Sequence, residues 1–266
     1  MKGLVWFRSD LRINHNPALK EACLSCEEVH AVYLYSLKQF KKHNEANVKI
    51  EFLINNLHCI AKDLEALNIP ITIIESDGYD ADPHLIEQLI IERNIERVFW
   101  NNQIGQDEKV RDDNTRQAIE KIGKEYETFF DQEVYPPATL LSGQGTPYSV
   151  FTPYKKRWVE NFDVEYLDID FVYQAKKLTS ISSNIEDFNF NFSREHAVKM
   201  TMWQAGEKEA EKKLLYFLKT KVSQYAKDRN DPIIDGTSRI SPYLALGVIT
   251  AKKCILEALK INNFEL

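Results

Sequence analysis

The sequence predicts an α/β fold: a Rossmann-like, doubly wound parallel sheet, then a linker, then a helical stretch. Three observations predict it. Residues 1–135 alternate short apolar strand runs with helical patterns, as a parallel sheet covered on both faces requires. Two helix starts in that stretch place Asn or Asp directly before Pro. The alternation then fades over 136–200, and helical spacing alone remains over 201–266.

Leu4–Phe7 reads as the first strand, and Asn16-Pro17 as a capped helix start. The loop between them carries Arg8, Ser9 and Asp10 where a dinucleotide site would carry G-x-G-x-x-G. His30–Tyr35 follows as a strand, and then one long amphipathic helix with Ile50, Leu53, Ile54, Leu57, Ile60, Ala61, Leu64 and Leu67 at helical spacing. Ile71–Glu75, Val98–Asn101 and Thr128–Phe130 complete the strands, while Asp82-Pro83 marks a second capped helix. Ligands in open α/β sheets lie at the strand C-terminal edge, so the loops after Phe7, Tyr35 and Asn101 are the expected pocket.

From Pro136 to about Ala197, Ser, Asn, Asp and aromatic residues replace clear periodicity. Thr179–Ser193 reads as a surface connection, with Phe188, Phe190 and Phe192 at period two to pin an extended segment. After Thr201 a stripe of Ala210, Leu214, Phe217, Leu218 and Val222 leads to Tyr225.

Of 266 residues, 44% are hydrophobic, enough for a buried core, and no apolar run reaches the roughly 18 to 20 residues of a membrane span. Leu4–Phe7 is too short for a signal peptide, and a cytoplasmic protein is expected. Cys23, Cys26, Cys59 and Cys254 fit a reducing compartment; the C-x-x-C pair lacks a second ligand pair for zinc and lies on an apolar helix side, so burial is expected and no metal. A net charge of −6 excludes a generally basic nucleic-acid coat and leaves local patches. Lys155, Lys156 and Arg157 form one, and Lys227 with Arg229 another; for either cluster alone a solvated face is the commoner explanation.

The stretch from Asp235 to Thr250 is the richest in chemistry. Gly236 allows a turn, Thr237, Ser238 and Ser241 supply hydroxyls, Arg239 supplies a cation, and Ser241-Pro242 opens a helix that Ser241 is expected to cap. Such a group is either an anion site suited to a phosphate or simply a helix cap.

Along its whole length the chain resembles the DNA photolyase/cryptochrome family, most closely its bacterial pyrimidine-dimer branch. Leu4-Val-Trp-Phe-Arg-Ser-Asp-Leu-Arg12 with Asn16-Pro-Ala-Leu19 resembles the N-terminal signature, Phe151-Thr-Pro-Tyr-Lys155 with Trp158 the interdomain segment, and Thr237 to Ser241 the flavin-phosphate loop. The resemblance implies an antenna-binding α/β domain over 1–135, a linker over 136–200 and the start of a helical FAD-binding domain over 201–266. Family members are much longer, so the chain corresponds to an N-terminal half.

What the resemblance implies for residues is specific. FAD would be held by Tyr225, Thr237, Ser238, Arg239, Ile240 and Ser241, with Arg239 either on the phosphates or ordering the loop through a carboxylate. Arg229 would contact DNA, or else be an exposed helix-end charge. Asp107 and Glu108 stand where an Asn-Glu pair binds 5,10-methenyltetrahydrofolate as antenna pigment; Asp107 accepts hydrogen bonds as that Asn does but cannot donate them. The bland reading of the pair is an acidic first turn of the helix containing Val110.

The implied activity is light-driven repair of pyrimidine dimers in damaged DNA, with the dimer turned out of the stack and an electron supplied by reduced FAD. Partners would be damaged DNA and a light-harvesting chromophore, with no membrane, and a monomer when complete. The family's electron-transfer residues fall outside this stretch, so no catalytic residue is expected; Trp6 and Trp100 read as core. The 266 residues alone are expected to lack repair activity, with 200–266 mobile, misassociated, or packed on the first domain or another chain. A cryptochrome-type photoreceptor and a stand-alone folate- or nucleotide-binding module are the alternatives.

Overall fold

The computed structural model describes residues 1–167, 173–177, 179, 181–185 and 202–261. The alternating Phe188, Phe190 and Phe192, and most of the connection expected over Thr179–Ser193, lie outside them. Five strands, β1 (Lys2–Phe7), β2 (Glu28–Tyr35), β3 (Ile71–Glu75), β4 (Arg97–Asn101) and β5 (Glu125–Phe129), form one sheet in the order β3-β2-β1-β4-β5. All four pairings are parallel, for example Val5 with Ala31 and Leu4 with Val98.

The strands alternate between two cores because each is covered on both faces. Val5 and Phe7 of β1 join one core with α1 (Pro17–Ser25) and α3 (Asn47–Glu65). Leu4 and Trp6 join the other with α4 (Asp82–Arg93), while Ile119 of α5 (Gln106–Lys121) closes its end. A short α2 (Leu37–Lys42) follows β2. Trp6 and Trp100 are fully enclosed, edge to face at 6.1 Å. Cys23 and Cys26 are buried, and burial pushes the Cys23 thiol up to about 12, so it stays protonated.

Of the two caps expected within residues 1–135, one forms. The Asn16 side chain accepts from the Leu19 amide at 3.1 Å, with Pro17 at the first helical position. Asp82 does not cap α4: Ala81 already has near-helical dihedrals and occupies the cap position, and the Asp82 carboxylate accepts from the Ser76 hydroxyl instead.

Residues 207–261 pack on the first core rather than standing apart. Leu214, Phe217 and Leu218 of α7 (Glu207–Thr220) are buried in the same core cluster as Phe52, Leu53 and Leu57 of α3. Each side chain of this size contributes roughly 1.5 to 3 kcal/mol when removed from water. Beyond the short helices α8 (Tyr225–Asp228) and α9 (Ser241–Ala245), Ile255, Leu256 and Leu259 of α10 (Ala251–Leu259) cover Val134, Tyr135 and Leu167. The stretch of weak periodicity after Pro136, expected as a linker, contains a ten-residue helix, α6 (Phe151–Glu160), before a 3-10 turn at Val164–Leu167. Pro153 within its first turn and its polar flanks hid it; its Trp158 packs on Tyr135 at 5.5 Å and Phe162 at 5.2 Å. Lys155, Lys156 and Arg157 are exposed on this helix.

Candidate functional site

The stretch expected to bind phosphate lies at the surface and is held open. Among the described residues, neither the Thr237, Ser238 and Ser241 hydroxyls nor the backbone N–H groups of residues 237–241 have a hydrogen-bond partner. Ser241 does not cap α9. Ile240, at φ −90° and ψ −5°, takes the cap position, so Ser241 is already in the first helical turn and its hydroxyl accepts no backbone N–H.

Arg239 takes a left-handed φ of 52°, and its guanidinium pairs with Asp235 at 2.8 Å. Asp235 also accepts from Lys221 at 2.7 Å, and that hydrogen bond, together with the two cations, holds its carboxyl below the usual range. Of the two contacts expected of Arg239, the one with a carboxylate is present as this pair with Asp235. Ile240 is buried and anchors the loop to the core.

Gly236 brings the other expected residues to this loop. A Cβ there would lie 2.5 Å from Cβ of Asp228, so the loop crosses directly over α8. Tyr225, the first residue of α8, packs edge-on against Phe217 at 5.6 Å, and the exposed Arg229 guanidinium lies 5.6 Å from the Tyr225 ring. The structure thus gathers unpaired N–H and O–H donors, a half-exposed tyrosine and an exposed arginine on one surface.

A second feature opens where the loops after Phe7, Tyr35 and Asn101 meet. This cleft of about 170 Å³ includes Arg8, Ser36 and Gln103 in its lining. Its wall is a stack: the Arg8 and Arg111 guanidiniums lie 4.6 and 4.8 Å from the Trp6 ring, and Arg111 also lies 4.8 Å from Tyr79. Both arginines pair with the buried Asp112, at 3.1 and 2.8 Å. Burial, and then the neighbouring Arg111, lower Arg8 to about 10, which leaves it charged at neutral pH. Trp6 Nε1 and Arg8 Nε are buried without a partner among the described residues.

Asp107 and Glu108 occupy the first turn of α5 and part company there. Glu108 reaches over Gly105 to accept from the Tyr79 hydroxyl at 3.1 Å, while Asp107 is exposed. Burial and that carboxylate push Tyr79 up to about 12.

Residues 3–171, more than half of the chain, match the DNA photolyase family. The chain belongs to that family. Among related DNA photolyases, the deoxyribodipyrimidine photo-lyases of Vibrio cholerae and Escherichia coli are 29% and 28% identical over 95% of the chain. The chain spans about half the length of these relatives, 54% and 53%. A bacterial class III photolyase from Agrobacterium tumefaciens superposes with a TM-score of 0.81 at 25% identity, over 96% of this chain and 52% of that one. A cryptochrome from Synechocystis has the same fold, with a TM-score of 0.74 at 22% identity over 97% of this chain and 55% of its own.

Sequence reading alone does not single out Tyr79, Arg111, Glu207 or Gly247. Gly247 falls inside the quoted motif, and Glu207 opens a helix after Gly206, but neither pattern states what the residue touches.

Proposed function

We propose that this chain is the antenna and flavin-phosphate half of a light-driven pyrimidine-dimer photolyase. The observation that carries this reading is the unpaired donor set of residues 237–241 beside Tyr225 and Arg229 in a photolyase-family chain. When bound, reduced FAD supplies the electron that splits the cyclobutane ring. The chain's own residues bind and orient. Thr237, Ser238, Ser241 and the neighbouring N–H groups hold the diphosphate, Arg239 keeps the loop in shape through Asp235, and Ile240 fixes it to the core. Tyr225 borders the bound flavin, and Arg229 contacts a DNA phosphate.

The antenna pigment occupies the cleft at the sheet edge, where a flat heteroaromatic such as a pterin meets the donors of the Arg8–Trp6–Arg111 wall. At about 170 Å³ the cleft is smaller than the roughly 300 Å³ at which small-molecule pockets begin, and it suits one ring system. Glu108 serves this site by holding Tyr79, which lines the cleft, and Asp107 is the exposed neighbour available to the pigment's N–H groups.

The test is the absorption spectrum of the purified chain after incubation with FAD, and separately with a reduced folate, followed by gel filtration. Flavin bands are expected to be retained, and Ser238→Ala/Ser241→Ala to weaken FAD binding by roughly tenfold or more, as the loss of two hydrogen bonds to a charged group predicts. Retention of full affinity by the double variant removes the phosphate assignment.

A further inference from the structure

Glu207 is the first residue of α7, yet it does not act as an ordinary acid at a helix start. Its carboxylate turns onto the loop after β1 and accepts the Ile13 amide, the Asn14 amide at 3.3 Å and the Asn14 side-chain amide. That loop in turn holds the far end of α9. The Leu11 amide donates to the Leu246 carbonyl at 3.1 Å, and Arg12 donates to the Gly247 carbonyl at 3.0 Å. Arg12 itself is fixed from behind by Asp131 and by the His15 carbonyl at 2.8 Å.

The circuit closes on the other side. The Tyr243 hydroxyl donates to the Gln204 carbonyl at 2.7 Å, and the Trp203 indole donates to the Arg239 carbonyl at 2.9 Å. Gln204 is joined to Glu207 through Gly206, whose amide donates to Asn56 of α3 at 2.9 Å. A ring of hydrogen bonds therefore runs from Glu207 through the β1 loop, the Leu246–Gly247 turn and α9, and back to the start of α7. The loop of residues 237–241 hangs from this ring at Arg239 and at α9. Buried N–H groups without an acceptor are costly, and the Ile13 and Asn14 amides find theirs in a residue 193 or more positions away.

We propose that Glu207 is a positioning residue: by clamping Ile13 and Asn14 it fixes the seat of α9, and with it the orientation of the phosphate loop, without touching a ligand. The last step rests on the flavin-phosphate reading of residues 237–241; the clamp itself does not.

The experiment compares the 266-residue chain with Glu207→Ala and Glu207→Gln by hydrogen exchange without cofactor, and then by FAD titration. In Glu207→Ala, amides of residues 243–250 are expected to exchange at least roughly tenfold faster while those of the sheet are unchanged. Glu207→Gln, whose carbonyl still accepts the backbone amides, is expected to restore protection to within about twofold of the parent. No local change in Glu207→Ala, equal acceleration in the sheet, or a Gln variant as open as the Ala variant would each overturn the clamp. Unchanged sheet protection also serves as the control that the variants fold.

In the titration, Glu207→Ala is expected to bind FAD roughly tenfold more weakly and Glu207→Gln nearly as well as the parent. Faster exchange with unaltered affinity would overturn the positioning role. A parent chain that takes up no FAD would instead remove the phosphate reading, and the exchange pattern alone would then decide the clamp.

Discussion

His30 illustrates how a single side chain sets a pH dependence in this molecule. It lies on β2, fully enclosed, and among the described residues neither ring nitrogen has a hydrogen-bond partner. Burial, reinforced by the nearby Arg93 and Lys2 charges, lowers its pKa from 6.5 to about 4. The unfolded chain therefore takes up a proton as pH falls below about 6.5, whereas the folded chain resists until about 4. Stability is fully present above that window and declines as pH drops through it, by roughly 3 kcal/mol in total. His30→Leu is expected to remove this decline and, by taking two unpaired polar atoms out of the core, to raise stability at pH 7 by about 1 kcal/mol or more. Urea unfolding of both proteins at pH 7 and pH 5 checks it; parallel declines would show that other groups set the pH response. At this scale the sequence revealed burial better than partnership. The enclosed Trp6, Trp100 and Cys23 were legible from strand and helix periodicity, but nothing in one sequence pairs Glu207 with Asn14.

At the scale of elements, the seat of α9 depends on a backbone approach that only glycine permits. Gly247 has a φ of 62°, and a Cβ there would lie 2.0 Å from the Ser9 carbonyl oxygen and 2.6 Å from Cα of Asp10. Gly247→Ala must therefore both strain the turn and push α9 and α10 off the β1 loop, for a loss exceeding about 1 kcal/mol. A loss of protection over residues 241–259 that exceeds any loss in β1 to β5 is the expected exchange pattern; a variant with parental stability and parental protection would show that the loop simply gives way. The elements themselves were readable to unequal degrees. The five strands and α3 announced themselves because alternation and helical stripes are local properties of the chain. Helix α6 did not, since its few apolar residues meet distant partners and Pro153 interrupts its pattern. The caps divided likewise. Asn16 follows the rule, but Asp82 and Ser241 each lie one residue inside their helices because the preceding residue already has near-helical dihedrals.

The whole molecule is joined by a core that ignores the boundary the composition suggests. Phe52, Leu53 and Leu57 of α3 belong to the same buried cluster as Leu214, Phe217, Tyr243 and Ala258, and Phe52 meets Tyr243 edge to face at 5.2 Å. The amphipathic stripes of α3 and α7 were each legible, but that they enter one core was not, because the joining of distant stripes leaves no local mark. Sharing one core has a thermodynamic consequence. If residues 207–261 opened first, the apolar face of α3 would be exposed at several of its most buried positions, so the sheet would lose stability in the same step. The described chain is therefore expected to unfold in one cooperative transition rather than two. Thermal unfolding followed by tryptophan fluorescence, which reports the enclosed Trp6 and Trp100 together with the part-buried Trp158 and Trp203, should then coincide with unfolding followed by loss of helical circular dichroism. A helical signal that melts well before the indole signal would mean that α7 to α10 form a separately opening unit, and that the hydrogen-bond ring through Glu207 and Gly247 carries their docking alone.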